Sequence, residues 1–333
     1  MIEYGLIGKK LSHSFSPDYF NSRFSNMNIP AEYSLYEIPS VGDFPSLIAG
    51  NDHLRGLNVT IPYKQEVIPY LNSMTPVAQA IGAVNTIRVE RDDEDGSLRL
   101  VGHNTDAIGF GEAIRPLLAG RRHALVLGQG GASKAVEYAL LELGVAVTKV
   151  SRTKSKDVLT YSDLTSEVMA AHDIIINCTP LGMWPNVNAC PEIPYEEIDS
   201  RYLCFDLIYN PEETEFMKRC SSQGATVSNG LSMLHGQADA AYRFWNTREF
   251  ISQELESAEI VRELSLMSRK ILIEINDLKE TYYLSIATLY QDSNGRILKI
   301  SVTPYERELC NVEYSDSPLH FRSEEGIFIL YRD

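Results

Sequence analysis

Cysteine is scarce in this chain and follows no pairing pattern. The five residues are Cys178, Cys190, Cys204, Cys220 and Cys310, and no two have the Cys-x-x-Cys spacing. An odd count at such spacings excludes a disulfide frame and a zinc ribbon, and leaves small buried side chains of a reducing compartment. Long apolar runs are also missing. None approaches the roughly 20 residues needed to span a bilayer. The first residues, Met1-Ile2-Glu3-Tyr4, show no basic stretch leading into an apolar signal core. The expectation is therefore a cytoplasmic protein. Positive charge is in deficit, with 30 Lys and Arg against 45 Asp and Glu and a net charge of −15. That field repels nucleic acid and anionic membranes, so neither is an expected partner. There is no internal repeat and no low-complexity linker. The composition, 44% apolar and 23% charged over 333 residues, is that of a globular protein. At roughly 150 residues per domain it predicts two domains and an appendage.

Strand and helix signals alternate over most of the chain, which predicts parallel sheets with right-handed crossovers. In the first hundred residues the expected strands are 4–8, 31–38 and 57–61. A hairpin of 84–89 and 98–101 surrounds the acidic turn 91–96. Expected helices are 17–26, with Ser16 as its N-cap, 43–49 and 63–71. A second block has strands at 123–127, 145–150, 173–177, 203–207 and 225–227, between helices at 107–118, 133–143, 212–222 and 231–245, with one more ending at 168–171. After about residue 266 the pattern becomes β-branched. Strands at 271–275, 282–290, 297–302 and 327–331, with a turn at 292–295, predict a small antiparallel appendage.

Gly128-x-Gly130-Gly131-x-Ser133 lies between an apolar strand and a helix. Such a loop lets a pyrophosphate approach the backbone at a helix N-terminus. The usual third glycine is replaced by Ser133, and the loop alone fits a structural turn equally well. The next strand ends in Ser151-Arg152-Thr153-Lys154-Ser155-Lys156. An NAD site would carry an acidic residue there for the ribose hydroxyls. Arg152, with Lys156 four residues on, instead suits a 2′-phosphate by charge and donor geometry.

Three polar segments follow apolar strands in the first block, where open α/β sheets place ligands. In residues 12–17, Ser14 and Ser16 offer two hydroxyls at a helix start, suited to a carboxylate; Ser16 acting only as a helix cap is the plainer reading. In residues 58–64, Asn58 and Thr60 share a strand face and Lys64 follows. A solvated lysine is the plainer reading there. Asn85 closes a third segment, and Asp106 begins a helix where it could serve merely as a cap.

These segments together resemble the shikimate dehydrogenase family, over about residues 3–250. The matches are 12–17, 58–64, 82–86, 102–109, 128–133, 151–153, 177–183, 206–211 and 230–237, in the family's order and spacing. The resemblance implies an α/β fold in two parts, and the sequence pattern adds a third. The first is an N-terminal α/β substrate domain, residues 1–103 together with C-terminal helices at about 235–265. The second is a Rossmann-like NADP-binding domain, 104–234, and the third a small β-rich C-terminal extension, 266–333. It implies NADPH-dependent reduction of 3-dehydroshikimate to shikimate, with no metal. Lys64 and Asp106 match the catalytic pair. Ser14 and Ser16 match the carboxylate-binding pair, and Asn58, Thr60, Asn85, Tyr209 and Gln237 match other substrate contacts. Gly128, Gly130, Gly131, Ala132, Ser151, Arg152, Thr153 and Lys156 fall at the dinucleotide site, and Gly230 and Met233 beside the nicotinamide. Phe20 stands where relatives often carry His, and Ser151 replaces an Asn.

Two alternatives stay open at this point. One is a quinate/shikimate dehydrogenase of broader substrate or NAD use, against which Arg152 argues on cofactor. The other is a catalytically silent ligand sensor, against which the intact Lys64 and Asp106 argue. The extension has no counterpart in the resemblance. A small sheet of this kind rarely stands alone, so a docking or homodimerisation module is expected.

Overall fold

A computed structural model describes residues 1–11, 14–91 and 97–246, and the backbone strands of 248–251, 271–275, 283–291, 297–308, 320–324 and 327–331. Ser12, His13, the acidic turn at 92–96, the turn at 292–295 and Cys310 lie outside the described residues. Met1–Ala241 and Tyr242–Asp333 form two compact units.

The first layer of the larger unit runs β1 (Ile2–Gly8), α1 (Ser16–Asn26), β2 (Ala31–Glu37), α2 (Phe44–Ala49), β3 (Leu54–Val59), β4 (Ser73–Met74), α3 (Pro76–Ile81), β5 (Thr86–Arg91) and β6 (Leu98–His103). Its six-stranded sheet has the order β2-β1-β3-β5-β6-β4. The sheet is mixed: β1 pairs with β2 and β3 in parallel, while β5 runs antiparallel to both β3 and β6. The ends of β1, β3 and β6 and the start of β5 therefore meet at one edge. A core of Ile7, Phe44, Leu57, Val67, Val84 and Ile87 lies on one face of this sheet.

The second layer runs α4 (Asp106–Ile114), β7 (His123–Leu127), α5 (Gly131–Glu142), β8 (Ala146–Ser151), β9 (Val158–Thr160), α6 (Ser166–Ala170), β10 (Ile174–Asn177), β11 (Leu203–Asp206), α7 (Glu215–Ser222), β12 (Thr226–Ser228) and α8 (Leu231–Asn246). Its sheet is wholly parallel, with the order β12-β11-β10-β7-β8-β9. Order reverses between β7 and β10, and open sheets of this type bind ligands in the crevice at that point. Both faces are covered, which explains why β10 reads Ile-Ile-Ile-Asn with every residue buried. Phe110 and Phe205 meet edge to face at 5.3 Å between α4 and β11. Helix α8 packs back on α4 through Gly109, where an added Cβ would lie 2.5 Å from Gln237 N and Met233 O. Among the described residues no helix is long and apolar enough to cross a membrane.

Three local expectations are corrected. The segment 63–71 is not an α-helix. It is a run of turns ending in a 3-10 helix, Ile68–Tyr70, held by bonds such as Ile68 N–H to Gln65 O. Pro69 has no N–H to give to the Gln65 carbonyl, so an α-helix cannot run through it. Ser16 is not the N-cap of α1, since the helix begins at Ser16 and Phe15 holds the cap position. The tail sheet is larger than expected and not purely antiparallel. It comprises β13 (Arg248–Ile251), β14 (Ile271–Ile275), β15 (Tyr283–Gln291), β16 (Ile297–Glu308), β17 (His320–Glu324) and β18 (Ile327–Tyr331), in the order β13-β16-β15-β14-β18-β17. Its β14 and β18 pair in parallel. Strand β13 also lies within the span where helices were expected, 235–265.

His103 gives this fold a pH signature. Burial, with Arg88 nearby, pushes its pKa down from 6.5 to about 4, and its Nδ1 lies 2.7 Å from Thr75 Oγ1. The unfolded chain thus binds a proton that the folded chain refuses, so stability is lost as pH falls from about 6.5 towards 4. Asp206 acts in the opposite sense: burial raises its pKa to about 6, so its contribution is lost as pH rises. The two are separated by comparing wild type with His103→Gln. Between about pH 7 and pH 5, the stability difference measured by urea unfolding is expected to change by about 2 kcal/mol in the variant's favour. A pH-independent difference would contradict the burial of a neutral His103.

Candidate active site

The shared edge of the first sheet faces the β7–α5 loop across a cavity of about 300 Å³. It is lined by Ser14 from the β1–α1 connection, by Ser16 at the start of α1, by Asn58 near the end of β3 and Thr60 just past it, and by Lys64, Asn85, Asp106, Tyr209 and Gln237. Every substrate-contact and catalytic position read from the sequence thus lines one cavity. Ala132, Gly230 and Met233 line it too, between the apolar side chains of Leu6, Val59, Ile61, Leu207 and Leu234.

Its centre is an ion pair. Lys64 Nζ lies 2.6 Å from Asp106 Oδ2, with the side chains only 16% and 9% exposed. Each charge is largely withdrawn from water and would be costly alone, so each holds the other in place. The Lys64 carbonyl accepts the Val84 N–H at 2.7 Å, which fixes the turn that carries the lysine. The cap reading of Asp106 fails, because Asn104 Oδ1 receives the Ala107 N–H and Asp106 lies inside α4. Its second oxygen, Oδ1, accepts from Asn85 Nδ2 at 2.9 Å. Asn85 is locked in turn: its Oδ1 accepts the Thr105 N–H at 2.7 Å and the Thr86 hydroxyl at 3.0 Å. Its Nδ2 also faces Gln237 Oε1 at 3.4 Å. The Gln237 amide oxygen is thereby turned to the network, leaving its nitrogen as the donor at the cavity.

Around this pair the polar groups are neutral. Ser14 Oγ accepts the Ser16 N–H at 3.3 Å. Tyr209 is half-buried, and burial raises its pKa, so it stays a protonated phenol. Gly230 can only be glycine, since an added Cβ would sit 2.1 Å from Leu207 O. That close approach brings the start of α8, and with it Met233, against the β11 end.

The glycine loop lies beside the pair. Gly128 has φ +109°, in the region that favours glycine. Gly130 precedes α5, and the space its Cβ would fill is open. Gly131 would place a Cβ 3.5 Å from Lys64 Cβ, so the N-terminus of α5 abuts the lysine. An open cradle at a helix N-terminus fits a pyrophosphate. Beyond β8 the Ser151 hydroxyl donates to Thr153 O and accepts the Thr153 N–H, closing the turn from within. Arg152, Thr153 and Lys156 project as exposed residues, while Lys154 turns to Asp163 at 3.6 Å. Exposed cations at the end of the second parallel strand fit a dinucleotide bearing an extra phosphate. The residues present therefore fit NADP.

Several residues of the site were given no role by the motif reading. Thr86 and Thr105 organise Asn85, and Tyr33 donates to Asn58 Oδ1 at 2.8 Å. Tyr33 did leave a trace in the sequence, as the inward aromatic of an otherwise half-exposed alternating strand.

Comparison with known proteins places this geometry in context. Residues 6–87 match the family model described as shikimate dehydrogenase substrate binding domain. A shikimate dehydrogenase (NADP(+)) of Clostridium beijerinckii is 39% identical over 256 residues, covering 73% of this chain and 91% of that protein. The crystal structure of shikimate 5-dehydrogenase from Thermus thermophilus in complex with NADP(H) and shikimate aligns with TM-score 0.65 and 30% identity, over 74% of this chain and 94% of that one. A quinate dehydrogenase from Corynebacterium glutamicum in complex with NAD gives the same TM-score at 27% identity, over 74% and 93%.

Proposed function

Since this chain belongs to the shikimate dehydrogenase family, we propose that it interconverts 3-dehydroshikimate and shikimate with NADP(H), and that Lys64 and Asp106 handle the proton. The observation that carries the reading is the Lys64–Asp106 pair at 2.6 Å, abutting the N-terminus of α5 in a cavity otherwise lined by neutral polar groups.

The cavity volume suits one small ring. Ser14 and Ser16 receive its carboxylate with hydroxyls, not cations, so the carboxylate does not compete with Asp106 for Lys64. Asn58, Thr60, Asn85, Tyr209 and Gln237 pair with the ring hydroxyls. A site built this way rejects analogues lacking those hydroxyls. Gly128, Gly130, Gly131 and Ala132 would hold the pyrophosphate. Arg152, Thr153 and Lys156 would hold the 2′-phosphate, and Gly230 and Met233 would flank the nicotinamide. When bound, NADPH supplies the hydride to the carbonyl carbon. In that direction the Lys64 ammonium gives a proton to the carbonyl oxygen, which would otherwise carry the developing charge. In alcohol oxidation the Lys64 amine takes the hydroxyl proton. Asp106 holds Nζ in line throughout, and Asn85 holds Asp106.

Wild-type protein given NADPH and 3-dehydroshikimate is expected to consume nicotinamide absorbance over many turnovers. Saturable binding without turnover would identify a ligand sensor instead. The quinate dehydrogenase shares the fold, so fold does not separate these substrates; Arg152 and Lys156 favour NADP.

The reading extends to a cytoplasmic enzyme in which the C-terminal unit serves docking or homodimerisation. A sheet rich in apolar residues requires a cover. Because the tail sheet begins at Arg248, the clean truncation removes residues 247–333. This variant is expected to keep NADPH-dependent activity within about threefold, on the scale of a change that leaves the reacting groups untouched, and to lower the oligomeric mass seen by light scattering. A folded truncation without activity would place the tail in the active site.

A further inference from the structure

Beside the cavity, one buried hydroxyl on β2 reaches a lining residue on β3. Tyr33 on β2 is 2% exposed and its ring stacks on Phe20 at 4.5 Å and 12°. Its phenol donates to Asn58 Oδ1 at 2.8 Å. A phenol has a single proton, and burial raises the Tyr33 pKa, so that proton stays in place. The Asn58 amide oxygen is therefore occupied, and its nitrogen faces Thr86 Oγ1 at 3.3 Å and Asn85 O at 3.4 Å. The amide is thereby held in one orientation.

We propose that Tyr33 is a positioning residue for the substrate, its hydroxyl fixing the Asn58 amide so that the substrate meets a preset side chain at the cavity wall. The inference rests on the proposed shikimate-binding role of the cavity. Tyr33 reaches no reacting atom itself. Phenylalanine in its place would keep the stack on Phe20 but leave Asn58 Oδ1 buried without its donor, so that the amide loses one of the bonds that hold it at the cavity wall.

The test is a double-mutant cycle of Tyr33→Phe and Asn58→Ala, read by calorimetric shikimate affinity and by steady-state kinetics. Tyr33→Phe is expected to weaken shikimate Kd and raise its KM by about tenfold, the scale of one buried hydrogen bond. The kcat and the NADPH KM should stay within about twofold, and Tm should move little. In the Asn58→Ala background the same change should cost about twofold or less, because its partner is gone. Unchanged Kd in Tyr33→Phe, or full additivity with Asn58→Ala, overturns the proposal. So does a parallel fall of kcat and both affinities, or failure to fold, since each marks a structural hydroxyl. Wild type that binds shikimate without turnover overturns the enzymatic reading alone, because the Kd cycle still judges Tyr33. Wild type that binds no shikimate overturns both.

Discussion

Lys64→Ala is expected to lower kcat by about 10² or more while changing the substrate KM far less, the scale of lost general acid–base catalysis. The lysine is the cavity's only cation among the described lining residues, and it lies 2.6 Å from Asp106. Without it the carbonyl oxygen takes up charge with no positioned proton donor. The loss should appear in kcat, because the carboxylate and ring hydroxyls are held elsewhere, by Ser14, Ser16, Asn58, Thr60 and Gln237. The substitution also strands Asp106 as a buried charge, so a fall in Tm is expected with it. Lys64→Gln separates the two effects, since its amide can still donate to Asp106 but cannot supply a proton at useful rates. Recovered Tm with kcat still depressed supports proton transfer. Near-wild-type kcat in either variant would remove Lys64 from the chemistry.

Arg152→Ala is expected to raise the NADPH KM by about 10- to 100-fold and to leave the NADH KM nearly unchanged. Hydrogen bonds to a charged partner carry about that much, and only NADPH has the 2′-phosphate. Arg152 stands exposed at the end of β8, where Ser151 closes the turn beneath it and Lys154 is drawn off to Asp163. Exposure also means screening, so the preference of wild type for NADPH should narrow as ionic strength rises. Equal losses with both cofactors would show that Arg152 makes no contact with that phosphate.

Much of this architecture was legible because local pattern and tertiary environment agree. The apolar run of β10 announced a strand covered on both faces, and the spacing of Gly128 to Ser133 announced the strand-to-helix turn. The substrate cavity was legible through short polar segments that the sheet gathers at one edge. Where reading failed, a long-range contact decided. Residues 63–71 have helical composition, but Pro69 breaks the ladder and the Val84 N–H claims the Lys64 carbonyl. Ser16 carries a capping residue's identity, yet the helix takes it in as its first residue and Phe15 holds the cap position. Strands β13 and β17 stand at the two edges of the tail sheet, where polar sequences such as His-Phe-Arg-Ser-Glu are favoured and the alternation signal is weak. Strand β16 runs past Pro304, which sequence takes as a stop. Its partner β13 reaches only Val302, so the proline's missing N–H faces no β13 carbonyl.

The most direct test of the central claim follows the hydride itself. Wild-type protein is incubated with 3-dehydroshikimate and NADPH dideuterated at C4 of the nicotinamide, and the product is weighed by mass spectrometry. The expected product is shikimate carrying one deuterium on the new carbinol carbon, formed with equal loss of reduced cofactor and at a rate that collapses in Lys64→Ala. Unlabelled product, or substrate that stays bound and unreduced, would contradict the account.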